Sequence, residues 1–469
     1  MVGFYALAAG LVVGLLYIPY AEVRYLRRID MFIAVPCLVG ALAILAGVWP
    51  RRDVFIEPGP RLDAATQPRL FAAIGDVASR LGQELPSEVY LAPDVNAGVG
   101  TRGGRLGAGG RQIMVLGLPL LQALTPLQFR AALAHEFGHE HGGDLRLASR
   151  VWRTRAAIVE TIQSLAGQGS HLAHVFVLYG KIFLRVTHSV SRYQEFSADA
   201  YAARACGADA LAGALRATER ASSSYDAYLQ GCVAPVLESG FRPPLAEGFG
   251  RFLGFARGEP PDEERLPGPY DTHPPLKARL EAIGVGTVGE VLAPDSSAAL
   301  LLDGLPELER KLLFKMVTGV RVKGLEPITW EEVHSRVLVP RWQSFHSEQV
   351  KDFPACTARD LPSLARDLVA LGRRLTGRPL FASAASASAV YALGSALALA
   401  LARQGWVPEG EPGSPTKLRL ESEAIEPFQT VGWLADGRLA PEAWLQRCET
   451  LGILDLPLSA RGVACDPGT

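Results

Sequence analysis

The chain has 469 residues, with 47 Lys and Arg against 48 Asp and Glu and a formal net charge of -1. That balance supplies no broad basic face and argues against nucleic acid as a partner, while the length allows two or three domains and a large core. Mean hydropathy is +0.15, high for a purely water-soluble chain of this size, and points to a membrane segment.

Two apolar runs open the chain. Gly3–Tyr20 and Met31–Trp49 are each uncharged and about 18 residues long, the lower end of what spans a hydrocarbon core of roughly 30 Å. No Lys or Arg precedes the first run and a second follows at once, so a membrane hairpin over 1–50 is expected rather than a cleaved signal peptide. Arg24, Arg27 and Arg28 on one side of the second run balance Arg51, Arg52 and Arg61 on the other, which leaves the orientation open.

A proline-rich connector (57–68) leads into a helix-periodic stretch at 69–82. Strands are expected at 87–93 and 111–117, flanking the glycine-rich GVGTRGGRLGAGG. No Gly-Lys-Ser/Thr follows that run, so it reads as a flexible hairpin connection and not a phosphate loop. Thr125–Gly142 has a Thr-Pro start and a Gly-Gly stop and is predicted helical. Further helices are expected at about 150–166 and from His171 through Gly207. Pro260–Pro275 is a proline-rich loop, followed by a short helix. Residues 379–402 are uncharged but rich in serine and alanine, and a buried helix is expected there in preference to a third span. The six cysteines form no C-x-x-C pair, which excludes a zinc ribbon or dithiol redox motif; Cys448 and Cys465 could pair outside the cytoplasm.

The chemistry concentrates in AALAHEFGHEHGGD (131–144). His135, Glu136 and His139 form H-E-x-x-H, which on a helix puts two imidazoles one turn apart on one face, able to share a metal ion. Glu136 lies about 100° around the helix, where it can take a proton from a metal-activated water. A third ligand is needed. His141 faces away, position 145 is Leu where a longer histidine motif needs His, and Asp144 lies beyond the Gly-Gly stop. Glu160 and Glu195 remain. Glu195 is preferred because Asp199, one turn on, can hold the second ring nitrogen of a ligand histidine. The bland alternative for EFSAD is a solvated acidic helix face.

AALAHEFGHEHGGD, SRYQEFSADAYA and DTHPPLKARL, in this order, resemble the successive signatures of the membrane zinc metallopeptidases typified by the HtpX heat-shock protease and the CAAX prenyl protease. LAPDVNAGVG is similar to the Asn-Ala stretch of that family's edge strand, and the likeness spans about residues 60–290. The resemblance implies one Zn2+ held by His135, His139 and Glu195, Glu136 as general base, and Asp199 behind the ligands. It further implies that His273 and Arg279 stabilise the oxyanion and that Asn96 and Ala97 bind substrate. The implied fold is α+β and mainly helical. It comprises a transmembrane hairpin (1–50), a zincin-type (gluzincin) metallopeptidase domain with a small β-sheet (51–295), and a mostly helical C-terminal region of unknown role (296–469). The chain departs from the family at His171–Val190, which holds Lys181, Arg185 and three histidines and reads as amphipathic rather than spanning. It also has too few apolar helices for the enclosed chamber of the prenyl proteases.

The expected activity is therefore zinc-dependent endoproteolysis of a polypeptide, with membrane proteins among the expected substrates, by a multi-pass protein of the lipid bilayer, expected in the bacterial inner membrane. The alternatives are a catalytically silent membrane scaffold with a structural zinc site and a partner-binding C-terminal region, and a zinc hydrolase acting on another carbonyl.

Overall fold

The structure, a computed structural model, describes residues 2–49, 55–102, 111–141, 144–167, 169–255, 273–286, 296–316, 324–348, 350 and 353–458. The proline-rich loop before His273, the far half of the glycine run and Cys465 lie outside the described residues. By packing, the chain forms two compact units, 1–223 with 260–316 and 224–259 with 317–469.

In the first unit, helices α1 (Val2–Ala21) and α2 (Met31–Val48) form the expected hairpin. Their 20 and 18 residues correspond to about 30 and 27 Å. Asp30 caps α2, its side chain accepting from the Phe32 amide at 2.9 Å. Large apolar side chains such as Val13, Leu16, Phe32 and Leu42 point outward, a surface that suits lipid and not water. The chain is a membrane protein.

The inner faces of the hairpin pack on α6 (Asp144–Ala166) and α7 (Ala173–Cys206), named here ahead of the elements between them. Phe4, Ile44, Ile158, Phe176 and Phe183 share one buried cluster. Gly47 sets the closest approach: a Cβ there would lie 2.9 Å from the Thr161 nitrogen, so only glycine lets α2 and α6 meet so tightly. The amphipathic expectation for His171–Val190 is visible on α7. One side is buried against the hairpin, Lys181 and Arg185 are exposed, and Val175, Leu178, Ile182, Val186 and Val190 form an exposed apolar row at three- and four-residue spacing.

Between these helical pairs lie β1 (Arg61–Leu62), α3 (Pro68–Leu81), β2 (Glu88–Ala92), β3 (Ala97–Arg102), β4 (Arg111–Gly117), α4 (Leu118–Ala123) and α5 (Pro126–His141). The sheet order is β1-β2-β4-β3, with β2 and β4 parallel and β3 antiparallel to β4 at the edge. Here the structure differs from the expectation of a flexible connection. The first half of the glycine run is itself a strand, because its backbone pairs along six residues of β4 even though its side chains carry no alternation. The Asn96 carbonyl accepts from the Gly117 amide at 2.7 Å. That register puts Gly98, Gly100 and Arg102 in hydrogen-bonded pairs and turns the amides and carbonyls of Ala97, Val99 and Thr101 outward.

The second unit is built around the helix Ala382–Arg403. It is long and apolar enough to cross a membrane, but it is mostly buried by its own unit. Leu393, Leu397 and Leu401 share a core with Trp342, Leu371, Val431 and Trp444. The buried-helix expectation matches this packing. A three-stranded antiparallel sheet (407–425) completes the unit. Cys448 is buried with a free thiol.

Candidate metal centre

The helix α5 begins with a reciprocal cap. The Gln128 amide donates to Thr125 Oγ1 at 3.1 Å and the Thr125 amide donates to Gln128 Oε1 at 3.0 Å, with Pro126 at the first helical position. Phe129, Leu133, Ala134 and Phe137 are buried, which fixes the rotation of the helix and turns His135 and His139 toward α7. There α5 and α7 approach very closely: a Cβ on Gly138 would lie 3.1 Å from the Ala198 Cα. This contact brings Glu195, one turn before Ala198, alongside the two histidines.

His135 Nε2 and His139 Nε2 are 3.2 Å apart. Glu195 Oε2 lies 3.6 Å from the first and Oε1 lies 3.5 Å from the second. Two imidazoles and a carboxylate thus surround one point, and their donor atoms all lie within 4.8 Å of one another. The donor set and its spacing fit a metal ion. Glu160, the alternative ligand, sits on α6 outside this cluster.

Behind the ligands runs a chain of charge-assisted contacts. His135 Nδ1 is 2.9 Å from Asp199 Oδ1, and Asp199 is fully buried. Arg279 Nε and Nη2 donate to the two Asp199 oxygens at 2.7 Å each, a bidentate pair. Arg279 also lies 3.4 Å from Glu195 Oε2. His273 is mostly exposed, with Nδ1 3.1 Å from Glu195 Oε2. Asn96 and Ala97 lie at the start of the edge strand and are not among the donors of this cluster; Asn96 is exposed.

The electrostatics favour a cation. Burial opposes ionisation of Asp199, but the Arg279 and His135 hydrogen bonds outweigh it and hold the carboxyl below its ordinary value. For Glu195, burial is likewise overcome by His135, His273 and Arg279, and its carboxyl is held far down. Burial disfavours the imidazolium of His135, yet its contacts with Asp199 and Glu195 raise it to about 9. Two buried carboxylates against one guanidinium leave a negative pocket that retains a positive charge at its centre. Glu136 is half-buried, and burial pushes its carboxyl up, the direction that suits a group exchanging protons near neutral pH.

The spacing argument picked out the ligands and Asp199, but it passed over Gly138, Ala198 and the outward backbone of β3. The glycine inside HEFGH was the available sign of a close helix contact.

Comparison with known proteins covers the part of the chain that holds these residues. Residues 64–285 match peptidase family M48. Protease HtpX of Baumannia cicadellinicola subsp. Homalodisca coagulata is 25% identical over 244 residues, 47% of this chain and 74% of that protein. Protease HtpX of Pseudomonas savastanoi pv. phaseolicola is 30% identical over 181 residues, 35% of this chain and 54% of the relative. Protease HtpX of Salmonella arizonae is 27% identical over 241 residues, 46% and 72% respectively.

Proposed function

Because the chain belongs to peptidase family M48 through residues 64–285, we propose that it is a membrane-anchored zinc endopeptidase. It cleaves an extended polypeptide laid along β3, and its ligands are His135, His139 and Glu195. The observation that carries the reading is the donor cluster: the two imidazole Nε2 atoms are 3.2 Å apart, and one Glu195 oxygen lies 3.6 Å from His135 while the other lies 3.5 Å from His139. Tetrahedral ligands at zinc's bond lengths of 2.0–2.1 Å stand about 3.3–3.4 Å apart. Two imidazoles with one carboxylate also form a donor set used by catalytic zinc.

A zinc ion held there supplies Lewis acidity, polarising the scissile carbonyl and making a water acidic enough to lose a proton near neutral pH. The protein's residues do the rest. Glu136 accepts the proton of the attacking water and passes it to the leaving amine nitrogen. His273, exposed beside Glu195, donates to the carbonyl oxygen as negative charge builds, a contribution of about 3 kcal/mol for such donors. Arg279 supports that charge from behind. It is first a positioning residue, since two of its nitrogens hold Asp199 and Asp199 holds His135. The substrate strand adds to the edge through the outward amides and carbonyls of Ala97, Val99 and Thr101, with Asn96 at the entrance.

In the same proposal, the protein resides in the bacterial inner membrane. The lipid bilayer contacts α1, α2 and the apolar row of α7. The chain divides functionally into anchor (1–50), peptidase (51–295) and C-terminal region (296–469).

The test is Glu136→Gln in the full chain in detergent. Zinc content should stay at wild-type level while chelator-sensitive digestion of unfolded casein falls at least ~100-fold, the scale of a lost general base. Undiminished digestion would end this mechanism. Bound zinc with no chelator-sensitive cleavage in the wild type would favour the silent scaffold.

A further inference from the structure

The outward side of α7 carries two lines of side chains that run beside each other. Val175, Leu178, Ile182, Val186 and Val190 make the apolar row. About a quarter turn away around the helix, Lys181, Arg185 and Arg192 follow at four- and seven-residue spacing and make a basic line. No Asp or Glu occurs between Glu160 and Glu195. Lys181 and Arg185 are exposed, and among the described residues neither forms an ion pair.

Packing on the hairpin fixes the height of these lines. Phe4, in the first turn of α1, meets Phe176 and Tyr179 with ring centroids 6.1 and 6.0 Å apart, and a Cβ on Gly3 would lie 3.2 Å from the Tyr179 hydroxyl. On the other helix, Gly47 in the last turn of α2 meets Thr161 of α6. Tyr179 and Thr161 therefore stand level with the end of the hairpin from which the rest of the chain continues, where its apolar helices leave the hydrocarbon core. Arg185 and Val190 lie beyond Tyr179 on α7, and the apolar row runs on for about 16 Å past that level. Arg155 of α6, likewise exposed and without an ion pair among the described residues, stands at about the height of Arg185. Past the hairpin's end, Ile182, Val186 and Val190 are still 56, 60 and 44% exposed, so nothing in the protein covers the row. The headgroup layer is only roughly 5–8 Å thick on each side of a bilayer, so a row of this length lies along that layer rather than crossing it.

We propose that α7 from Lys181 to Val190 lies on the membrane surface, its apolar row in the acyl boundary and Lys181 and Arg185 against the phosphates of anionic phospholipids. The row is continuous with the lipid-facing side of the hairpin, which makes the bilayer the partner and not a soluble protein. Cations without carboxylates beside them are drawn to a negatively charged leaflet, and a basic line next to an apolar one is the pattern of helices that lie in the interface. Glu195 follows on the same helix, so the metal centre stands close to this surface and serves substrate segments that reach it there. The contact of the row with lipid belongs to the function proposed above; its place along the surface and its anionic headgroups are added here.

The test reconstitutes the full chain in vesicles of phosphatidylcholine and phosphatidylglycerol at about 3:1, with the photo-crosslinker p-benzoylphenylalanine in place of the exposed Val186. After irradiation, intact-mass spectrometry reads what has been captured. Phospholipid adducts are expected, with phosphatidylglycerol at least ~2-fold above its share of the bilayer. Lys181→Gln combined with Arg185→Gln, both exposed positions, should return that share to the bulk value with the helical circular dichroism unchanged. Adducts in which phosphatidylglycerol shows no excess, or an excess that survives the double substitution, overturn the anionic assignment and leave the lipid contact standing. Capture of a second copy of the chain, or of no lipid at all, overturns the surface placement and the lipid contact of the row together. Chelator-sensitive casein digestion, followed in parallel, judges the protease reading separately from all of these.

Discussion

At the residue scale, Asp199 shows how much of a metal centre sits behind its ligands. It is fully buried, carries a negative charge, and touches both His135 and Arg279. Asp199→Asn keeps the shape but removes the charge that holds the His135 ring. Zinc affinity, measured against a competing chelator, should fall about 10–100-fold with the helical circular dichroism unchanged. Unaltered affinity would mean that Asp199 only anchors Arg279. In the second unit, His346 is buried, bonded to Ser395 at 2.9 Å, and pushed down by burial to about 4 from an ordinary 6.5. The unfolded state therefore takes up this proton first as pH falls. The stability His346 contributes is complete above pH 6.5 and lost as the pH drops toward 4. Denaturant midpoints of wild type and His346→Phe should converge across that window, and parallel curves would remove His346 from the acid response.

At the element scale, what could be read depended on whether the side chains carried a period. H-E-x-x-H is contiguous on one helix, so its geometry follows from 3.6 residues per turn. Glu195 was recoverable because Asp199 follows it at the same helical spacing. The strand β3 was hidden because Ala-Gly-Val-Gly-Thr-Arg has no apolar alternation, and only its backbone pairing with β4 makes it a strand. The contact of Gly138 with Ala198 was hidden for a related reason: a glycine in a helix does not reveal which neighbour needs the space. The edge strand offers a sharp experiment. Val99→Pro removes one outward N–H and leaves the ladder to β4 intact, a position where an edge strand tolerates proline. KM for an extended peptide should rise several-fold with zinc retained, whereas Gly98→Pro should disrupt the sheet itself. If Val99→Pro leaves KM unchanged, substrate does not pair with this edge.

At the scale of the whole molecule, composition gave the hairpin and the buried alanine-rich helix, because both depend on length and apolarity alone. The packing of 224–259 with 317–469 had no such signature, since helical periodicity does not name a helix's partner. The apolar row of α7 lies on the same continuous helix as the metal ligand, and Val190 is five residues, or about 7.5 Å of rise, from Glu195. One practical result concerns any attempt to obtain a water-soluble enzyme by trimming. A fragment lacking residues 1–50 should still partition into the detergent phase on Triton X-114 separation, because the bundle face formerly covered by the hairpin joins the row already exposed on α7. Recovery in the aqueous phase would refute this. Cutting deeper to remove the greasy part of α7 would sever the rod whose far end grips the ion, so in this protein solubility and metal retention pull against each other along a single helix.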